Sequence, residues 1–99
     1  MLKSKILRGQ ILESLYHYYP DGIDDESIHS IFFAYNEYDA VTNAVNYLAD
    51  KKLIKKIEAP HAYIDNKTFV WYKITTEGID VFEHSSPCPQ GILLPKKKE

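Results

Sequence analysis

The amino-acid sequence predicts a small α+β domain in which three helices precede a β-hairpin and a last short helix. Apolar residues recur at helical spacing in three segments before residue 51. The segment 68–74, TFVWYKI, is β-branched and aromatic throughout, which is typical of a strand. The third helical pattern ends only a few residues before Leu53 and Ile54, so we expect a strand to follow that helix directly.

The predicted third helix, residues 38–50, is the element around which the other elements are arranged. Its apolar residues fall at i, i+3, i+4 and i+7 and predict one buried face: Val41, Ala44, Val45 and Leu48. The opposite face carries small polar and acidic residues, namely Asp39, Thr42, Asn43, Asn46 and Asp50. Lys51 and Lys52 follow, where cations favour the negative end of a helix.

The first helix is predicted from Lys3 to Tyr19. Its core stripe consists of Leu7, Ile11, Leu12, Leu15 and Tyr18. The sequence Pro-Asp-Gly at 20–22 ends the helix, because Pro disfavours helix in the preceding residue and Gly supplies a turn. We expect Ile23 to form a strand of one or two residues that covers the edge of the hairpin.

The second helix begins at a cap supplied by Asp24 or Asp25, since acidic side chains suit a helix N-terminus. Three of its apolar side chains are expected to face inward: Ile28, Ile31 and Phe32. Residues 33–36 form the turn to the third helix. Asn36 is predicted to cap that helix, with Asp39 in the capping-box position.

The hairpin is predicted to start at Leu53 and to run to about residue 58, with Pro60 as its boundary. A short run at 61–64 precedes a turn at 65–67, and the strand 68–74 completes the wing of the hairpin. Alternation prevents its three aromatic residues from sharing one face. We expect Phe69 and Trp71 to lie in the core and Tyr72 to be exposed.

The chain ends with a short helix and a tail. The helix opens at 75–77 and ends near Glu83, with Ile79 and Phe82 facing inward and Val81 partly so. From residue 85 onward, prolines, a glycine and a lysine cluster indicate a tail that is flexible or becomes ordered on contact. The predicted organisation is therefore one domain over residues 1–84 and a Pro/Lys-rich tail over 85–99.

Composition sets the size of the core and the class of protein. At 44% hydrophobic residues, the 99-residue chain supports a modest core. That core is expected to include Leu7, Ile11, Leu15, Ile28, Ile31, Val41, Val45, Leu48, Ile54, Trp71 and Ile79. The single cysteine, Cys88, excludes an internal disulfide and fits a reducing cytoplasm. No apolar run approaches the ~18 residues of a membrane span, and no secretion signal is expected.

Charge is distributed unevenly along the sequence. The net charge of −2 divides into +3 over residues 1–8, −8 over residues 9–50 and +3 over residues 51–99. Residues 9–50 contain no lysine or arginine, and they include the second and third helices. Affinity for duplex DNA comes largely from cations that meet phosphates. Any DNA binding would therefore depend on the flanking cations, among them Lys3, Lys5 and Arg8.

Two motifs resemble those of winged helix-turn-helix regulators. VNYLADKKLIKKI is similar to their step from third helix to wing, with Lys52 where those proteins usually have Gly. WYKITTEGIDVFE is similar to their wing exit and final helix, through Tyr72, Ile74, Thr75, Gly78 and Phe82. The resemblance covers about residues 5–84. The ending PQGILLP, followed by Lys96, Lys97 and Lys98, also resembles small winged-helix proteins of Mu-like phages and prophages.

This resemblance implies a winged helix-turn-helix fold whose third helix lies in the DNA major groove. The implied contacts to double-stranded DNA are Tyr38, Thr42, Asn43, Asn46, Lys51 and Lys67. Asn bonds adenine bidentately, Thr bonds bases or packs on a thymine methyl, and the lysines meet phosphates. The alternative is a solvated helix face, with lysines that protect strand edges from pairing.

We therefore expect a sequence-specific DNA-binding protein, acting as a transcriptional regulator in the cytoplasm. A homodimer is expected, through the first helix and the tail from Pro87, with Tyr16, Tyr18, Tyr19 and Tyr35 as further candidates for the contact. The alternative function is a winged-helix protein-interaction module that does not bind DNA and uses the acidic residues 9–50. The sequence contains no catalytic motif or zinc spacing, so no enzyme activity, metal, cofactor or small-molecule ligand is expected.

Overall fold

The computed structural model describes residues 2–60 and 68–94, which form four helices and three strands. In chain order these are α1 (Leu2–His17), β1 (Ile23–Asp24), α2 (Asp25–Phe32), α3 (Tyr38–Asp50), β2 (Ile54–Pro60), β3 (Thr68–Ile74) and α4 (Thr76–Phe82). The predicted α+β class is confirmed. No helix within the described ranges is long and apolar enough to cross a membrane.

The three described strands form an antiparallel sheet in the order β1-β3-β2. Strands β2 and β3 pair from Ile54 opposite Ile74 to Pro60 opposite Thr68, and Ile23 pairs with Tyr72. The prediction that Ile23 begins a two-residue strand along the hairpin edge is confirmed. The predicted run and turn at 61–67, and with them Lys67, lie outside the described residues.

The core lies between α1, α3 and the inner face of the sheet. The predicted face of α3 is confirmed, because Val41, Ala44, Val45 and Leu48 are all buried. They meet the buried stripe of α1, which consists of Leu7, Ile11, Leu12 and Leu15. Five of the eight largest fully buried side chains come from these two helices, namely Ile11, Leu12, Leu15, Val41 and Leu48, so this contact is a major part of the apolar core.

The predicted orientation of strand β3 was wrong. Tyr72 is buried, with 6% of its surface exposed, whereas Phe69 is 46% exposed and Trp71 is only partly buried. Alternation separates the two faces of the strand but leaves open which of them meets the helices. The register decides this, because Ile54 pairs with Ile74, and both are buried on the same face as Tyr72.

Three further core assignments need correction. Ile31 is 49% exposed, and Ile28 is the single buried side chain of the eight-residue α2. Tyr18 is exposed because α1 ends at His17. In α4, Val81 is fully buried while Ile79 and Phe82 only pack against the core.

Helix caps follow the prediction in part. Asp24 caps α2 by accepting a hydrogen bond from the Ser27 amide at 3.1 Å. The N-cap of α3 is Glu37, which makes no side-chain capping bond. The prediction that Asn36 caps α3 was wrong, because its side-chain amide donates instead to the carbonyl oxygen of Phe32 at 3.0 Å.

The segment that follows α4 packs against α1 as far as Leu94. The amide of Leu93 donates to the carbonyl oxygen of Lys5 at 3.0 Å, and Ile92 is buried in the core. Gly9 permits this approach, since a Cβ atom there would lie 1.9 Å from the carbonyl oxygen of Leu93. Residues 91–94 of the predicted tail therefore contact the domain.

Candidate nucleic-acid interface

The outer face of α3 carries the side chains that the sequence predicted to meet bases. Tyr38, Asn43 and Asn46 are exposed, and Thr42 is half-buried. Lys51 is exposed directly after the end of the helix. Asn43 and Asn46 lie opposite the buried face of α3, Tyr38 and Thr42 lie toward α2, and Lys51 follows the last turn; together the five side chains form the polar surface of α3.

Two acidic residues lie within this polar surface. Helical spacing places Asp39 and Asp50 between Asn43 and Asn46 around the helix axis, and both are exposed. Phosphates would approach the surface against these two negative charges. The cations of this region, Lys51 and Lys52, follow the C-terminal end of α3.

His29 of α2, which was not among the predicted site residues, contacts two of them. Its Nε2 lies 3.1 Å from the Thr42 hydroxyl, and its ring stacks on Tyr38 with centroids 4.0 Å apart. Its Nδ1 lies 2.9 Å from the carbonyl oxygen of Asp25. A carbonyl only accepts, so we assign the proton to Nδ1. In the neutral ring, Nε2 then accepts from the Thr42 hydroxyl.

This hydrogen bond limits what Thr42 can offer to a base. When the His29 ring is neutral, its Nε2 engages the Thr42 hydroxyl proton, so the hydroxyl oxygen can only accept, for example from the amino group of adenine or cytosine. The methyl group remains suited to contact with a thymine methyl. His29 therefore determines both the position of Thr42 and its hydrogen-bonding role.

The same corner of the molecule is joined to the sheet. The Tyr72 hydroxyl donates to the Asp25 carboxylate at 2.8 Å, which connects β3 to the start of α2. Burial, together with this carboxylate, raises the pKa of Tyr72 well above its usual range. The i, i+4 spacing of Asp25 and His29 was a usable signal on one helix. Spacing along the chain could not indicate that Asp25 contacts Tyr72 or that His29 contacts Thr42.

Arg8, expected to be a flanking cation, is engaged inside the domain. Its Nη1 donates to the carbonyl oxygen of Gly91 at 3.0 Å, and its guanidinium lies 4.0 Å from the centre of the Tyr47 ring. These contacts hold the segment after α4 against α1. Lys56 is also paired, with Glu58 at 3.2 Å. The expectation that Arg8 serves phosphates is therefore corrected.

The turn between α2 and α3 exposes large apolar side chains beside the polar surface. Phe33 and Tyr35 are both strongly exposed, and Glu37 follows them at the start of α3. The sequence predicted Tyr35 as a candidate for a dimer contact and gave Phe33 no role beyond the turn. An exposed aromatic pair next to acidic residues is also a feature of surfaces that bind protein.

No family model, curated protein or solved structure matches this chain. Over residues 2–60 and 68–94, no three His, Cys, Asp or Glu side chains are grouped in a way that could hold a metal ion. The residues and contacts of the chain itself are therefore the basis for a functional proposal.

Proposed function

We propose that the chain is a winged-helix domain that binds double-stranded DNA sequence-specifically through α3, as a transcriptional regulator. The observation that carries the proposal is the outer face of α3, where Tyr38, Asn43 and Asn46 are exposed and Asn43 and Asn46 are neighbours at i, i+3. Two amide side chains on an exposed helix face are suited to bidentate contacts with adenine in the major groove.

Backbone conformation at the end of α3 supports the winged-helix assignment. Lys52, which stands where the resembled regulators usually have Gly, has a φ of 63°. Gly adopts this left-handed region most readily, so the position has the conformation for which Gly is suited. The order of the described elements and the antiparallel pairing of β2 with β3 agree with the same assignment.

Affinity in this proposal comes from cations outside the polar surface of α3. Lys51 is exposed at the C-terminal end of the helix, and Lys3 is exposed on α1. Lys67 and the lysine cluster at 96–98 would add to them from sequence positions outside the described residues. Asp39 and Asp50 oppose phosphate approach, so we expect binding that is moderate and strongly weakened by salt.

The proposal is tested by retention on duplex DNA at ~50 mM and ~200 mM salt. The wild type is expected to bind random and native upstream DNA at the lower concentration and to be released at the higher one. Asn43→Ala or Asn46→Ala should relax sequence preference by about 1–3 kcal/mol at one base pair. Gln90→Ala removes an exposed amide elsewhere and should leave that preference unchanged.

Lysine variants test the contribution of phosphate contacts. Lys51→Ala and Lys67→Ala should weaken binding to all sequences alike and lower the salt slope by about one contact each. Lys55→Ala, an exposed lysine of β2, removes the same charge away from the proposed surface and serves as the control. Absence of binding at the lower salt concentration, for random and native DNA, would overturn the proposal.

A second candidate function is protein binding without DNA binding, and the exposed pair Phe33 and Tyr35 favours it. Here the acidic residues would form part of the surface that contacts the partner. Glu37→Lys and Asp39→Lys should then raise retention on DNA while weakening the protein contact. If Asn43→Ala and Lys67→Ala both leave retention unchanged, the protein-binding function is preferred.

A further inference from the structure

One side of α1 presents a stripe of residues, half-buried at Glu13 and otherwise exposed, that the domain leaves open within the described residues. Leu2, Ile6, Gln10 and Glu13 follow one another at i, i+4, i+8 and i+11, so they form one row along the helix. Leu2 and Ile6 are 65% and 37% exposed. We call these four residues the outer stripe of α1.

A groove runs along each side of the outer stripe. The larger one, about 580 Å³, lies between the stripe and the apolar residues Ile31 and Tyr35. The smaller one, about 290 Å³, lies between the stripe and Leu93 and Leu94. Ile31, Tyr35 and Leu93 are all exposed large apolar residues. A raised row between two apolar grooves is the shape that packs against a second helix surface of the same kind.

The charges beside the stripe are arranged in a self-complementary way. Lys3 lies at one end of the larger groove and Glu13 at the other, about 15 Å apart along the helix. Both are five residues from position 8, and Ile6 and Gln10 are each two residues from it. Reversing the direction of the helix about position 8 therefore exchanges Lys3 with Glu13 and Ile6 with Gln10.

We infer that the occupant of this surface is a second copy of the chain, with its α1 antiparallel and a two-fold axis that lies beside Ile6 and Gln10, level with position 8 along the helix. In a symmetric dimer each contact occurs twice, so the surface must complement itself. Lys3 would face Glu13 of the partner subunit at both ends, and the outer stripe of each copy would enter a groove of the other. A partner with an unrelated surface would not require this symmetric arrangement of charge.

The first test measures molecular mass by light scattering in the absence of DNA. We expect the wild type to pass from monomer to dimer as concentration rises to the high micromolar range. Ile6→Asp places two charges near the two-fold axis and should abolish the dimer over that range. Phe69→Asp introduces the same charge at an exposed apolar position of the sheet and should leave the dimer unchanged.

The second test uses charge reversal. Lys3→Glu alone, or Glu13→Lys alone, creates two like-charge contacts and should weaken the homodimer about tenfold at low salt. An equimolar mixture of the two variants restores opposite charges at both contacts, so it should form a heterodimer with about the wild-type affinity. Lys55→Glu mixed with Glu77→Lys, two exposed positions elsewhere, should show neither the loss nor the recovery.

A constant monomer mass for the wild type would overturn the inference, as would a dimer that Ile6→Asp leaves intact. Failure of the mixed variants to recover association would exclude the antiparallel arrangement. Circular dichroism verifies that each variant is folded. If Ile6→Asp unfolds, the charge-reversal variants decide, because both positions lie on the solvent side of α1.

This inference is independent of the proposed function, since mass is measured without DNA. A dimer that does not bind DNA would overturn the proposed function alone. A monomer that is retained on DNA would overturn this inference alone.

Discussion

Two regions of the molecule are held together by different forces. One is the contact between α1 and α3. The other is the corner formed by α2 and the turn after it, which we call the α2 corner. Between α1 and α3, buried aliphatic side chains such as Leu15, Val45 and Leu48 lie in close contact. The α2 corner buries Ile28 and leaves Ile31 and Phe33 exposed. Around Ile28, hydrogen bonds at partly buried positions supply most of its other contacts with the domain.

The two regions should therefore differ in stability and in how their stability depends on pH. Apolar burial is worth about 25 cal/mol per Å² and is insensitive to pH, whereas a hydrogen bond contributes about 0.5–1.5 kcal/mol. The α2 corner should therefore be the less stable region and the one that responds to pH. It also carries His29 and Tyr38, so the proposed DNA surface borders this less stable region.

The largest expected effect tests the α1–α3 contact. Leu48→Ala should lower the free energy of unfolding by about 2–5 kcal/mol, because it leaves a cavity where the side chain was fully buried. Denaturation in urea measures this. Asn46→Ala, on the outer face of the same helix, should change it by less than about 0.5 kcal/mol. A loss below about 1 kcal/mol for Leu48→Ala would contradict the burial of this face of α3 against α1.

The next effect tests the cap of α2. Asp24→Ala should cost about 0.5–2 kcal/mol at neutral pH, since the Ser27 amide loses its acceptor. The Ser27 hydroxyl bond lowers the pKa of Asp24 below its ordinary value of 3.8. A lowered pKa means that this stability is present above pH 3.8 and is lost as the pH falls below it.

The difference between wild type and Asp24→Ala should therefore narrow in acid, which is measured by urea denaturation over a pH series. Asp21→Ala removes an exposed carboxylate just before β1 and is the control. A difference that is unchanged below about pH 3 would contradict the assigned role of the carboxylate.

A third effect tests the link between the sheet and α2. Tyr72→Phe removes the hydroxyl that donates to Asp25 and should cost about 0.5–1.5 kcal/mol. Burial raises the pKa of Tyr72, so the neutral phenol contributes stability that is present below about pH 10 and is lost as the pH rises above it. Tyr72→Phe should lose less stability than the wild type between neutral pH and alkaline pH. Tyr18→Phe, at an exposed tyrosine, should behave as the wild type does.

The smallest effect is expected at Ile31, and it is measured against the buried Ile28 of the same helix. Ile31→Ala should cost less than about 1 kcal/mol, because 49% of the side chain is already exposed. Ile28→Ala, at 0% exposure on the same helix, should cost about 2–5 kcal/mol. Thermal unfolding of the two variants side by side gives the answer. Equal losses would mean that α2 is rotated from the orientation described.

The exposure of the α3 surface was predicted from the sequence, whereas its contacts with other elements were not. Exposure of Tyr38, Asn43 and Asn46 followed from the face opposite the apolar stripe of α3, which the sequence specifies by spacing alone. Two contacts could not be predicted: that of His29 with Thr42, and the hydrogen bond from Arg8 to the carbonyl oxygen of Gly91. Each joins residues from different elements, and no local pattern reports such a contact.

The sequence by itself determined the α+β class, the extent of β3, the buried face of α3 and a cap of α2 at Asp24 or Asp25, of which the structure selects Asp24. These depend on local periodicity and on bonds within a few residues, so the order of side chains along the chain is sufficient. Tertiary structure alone decided that Tyr72 faces the core, that Ile31 remains exposed and that Ile92 is buried. Burial at these positions depends on which distant element arrives at each face, and that choice minimises the free energy of the whole domain rather than of any one segment.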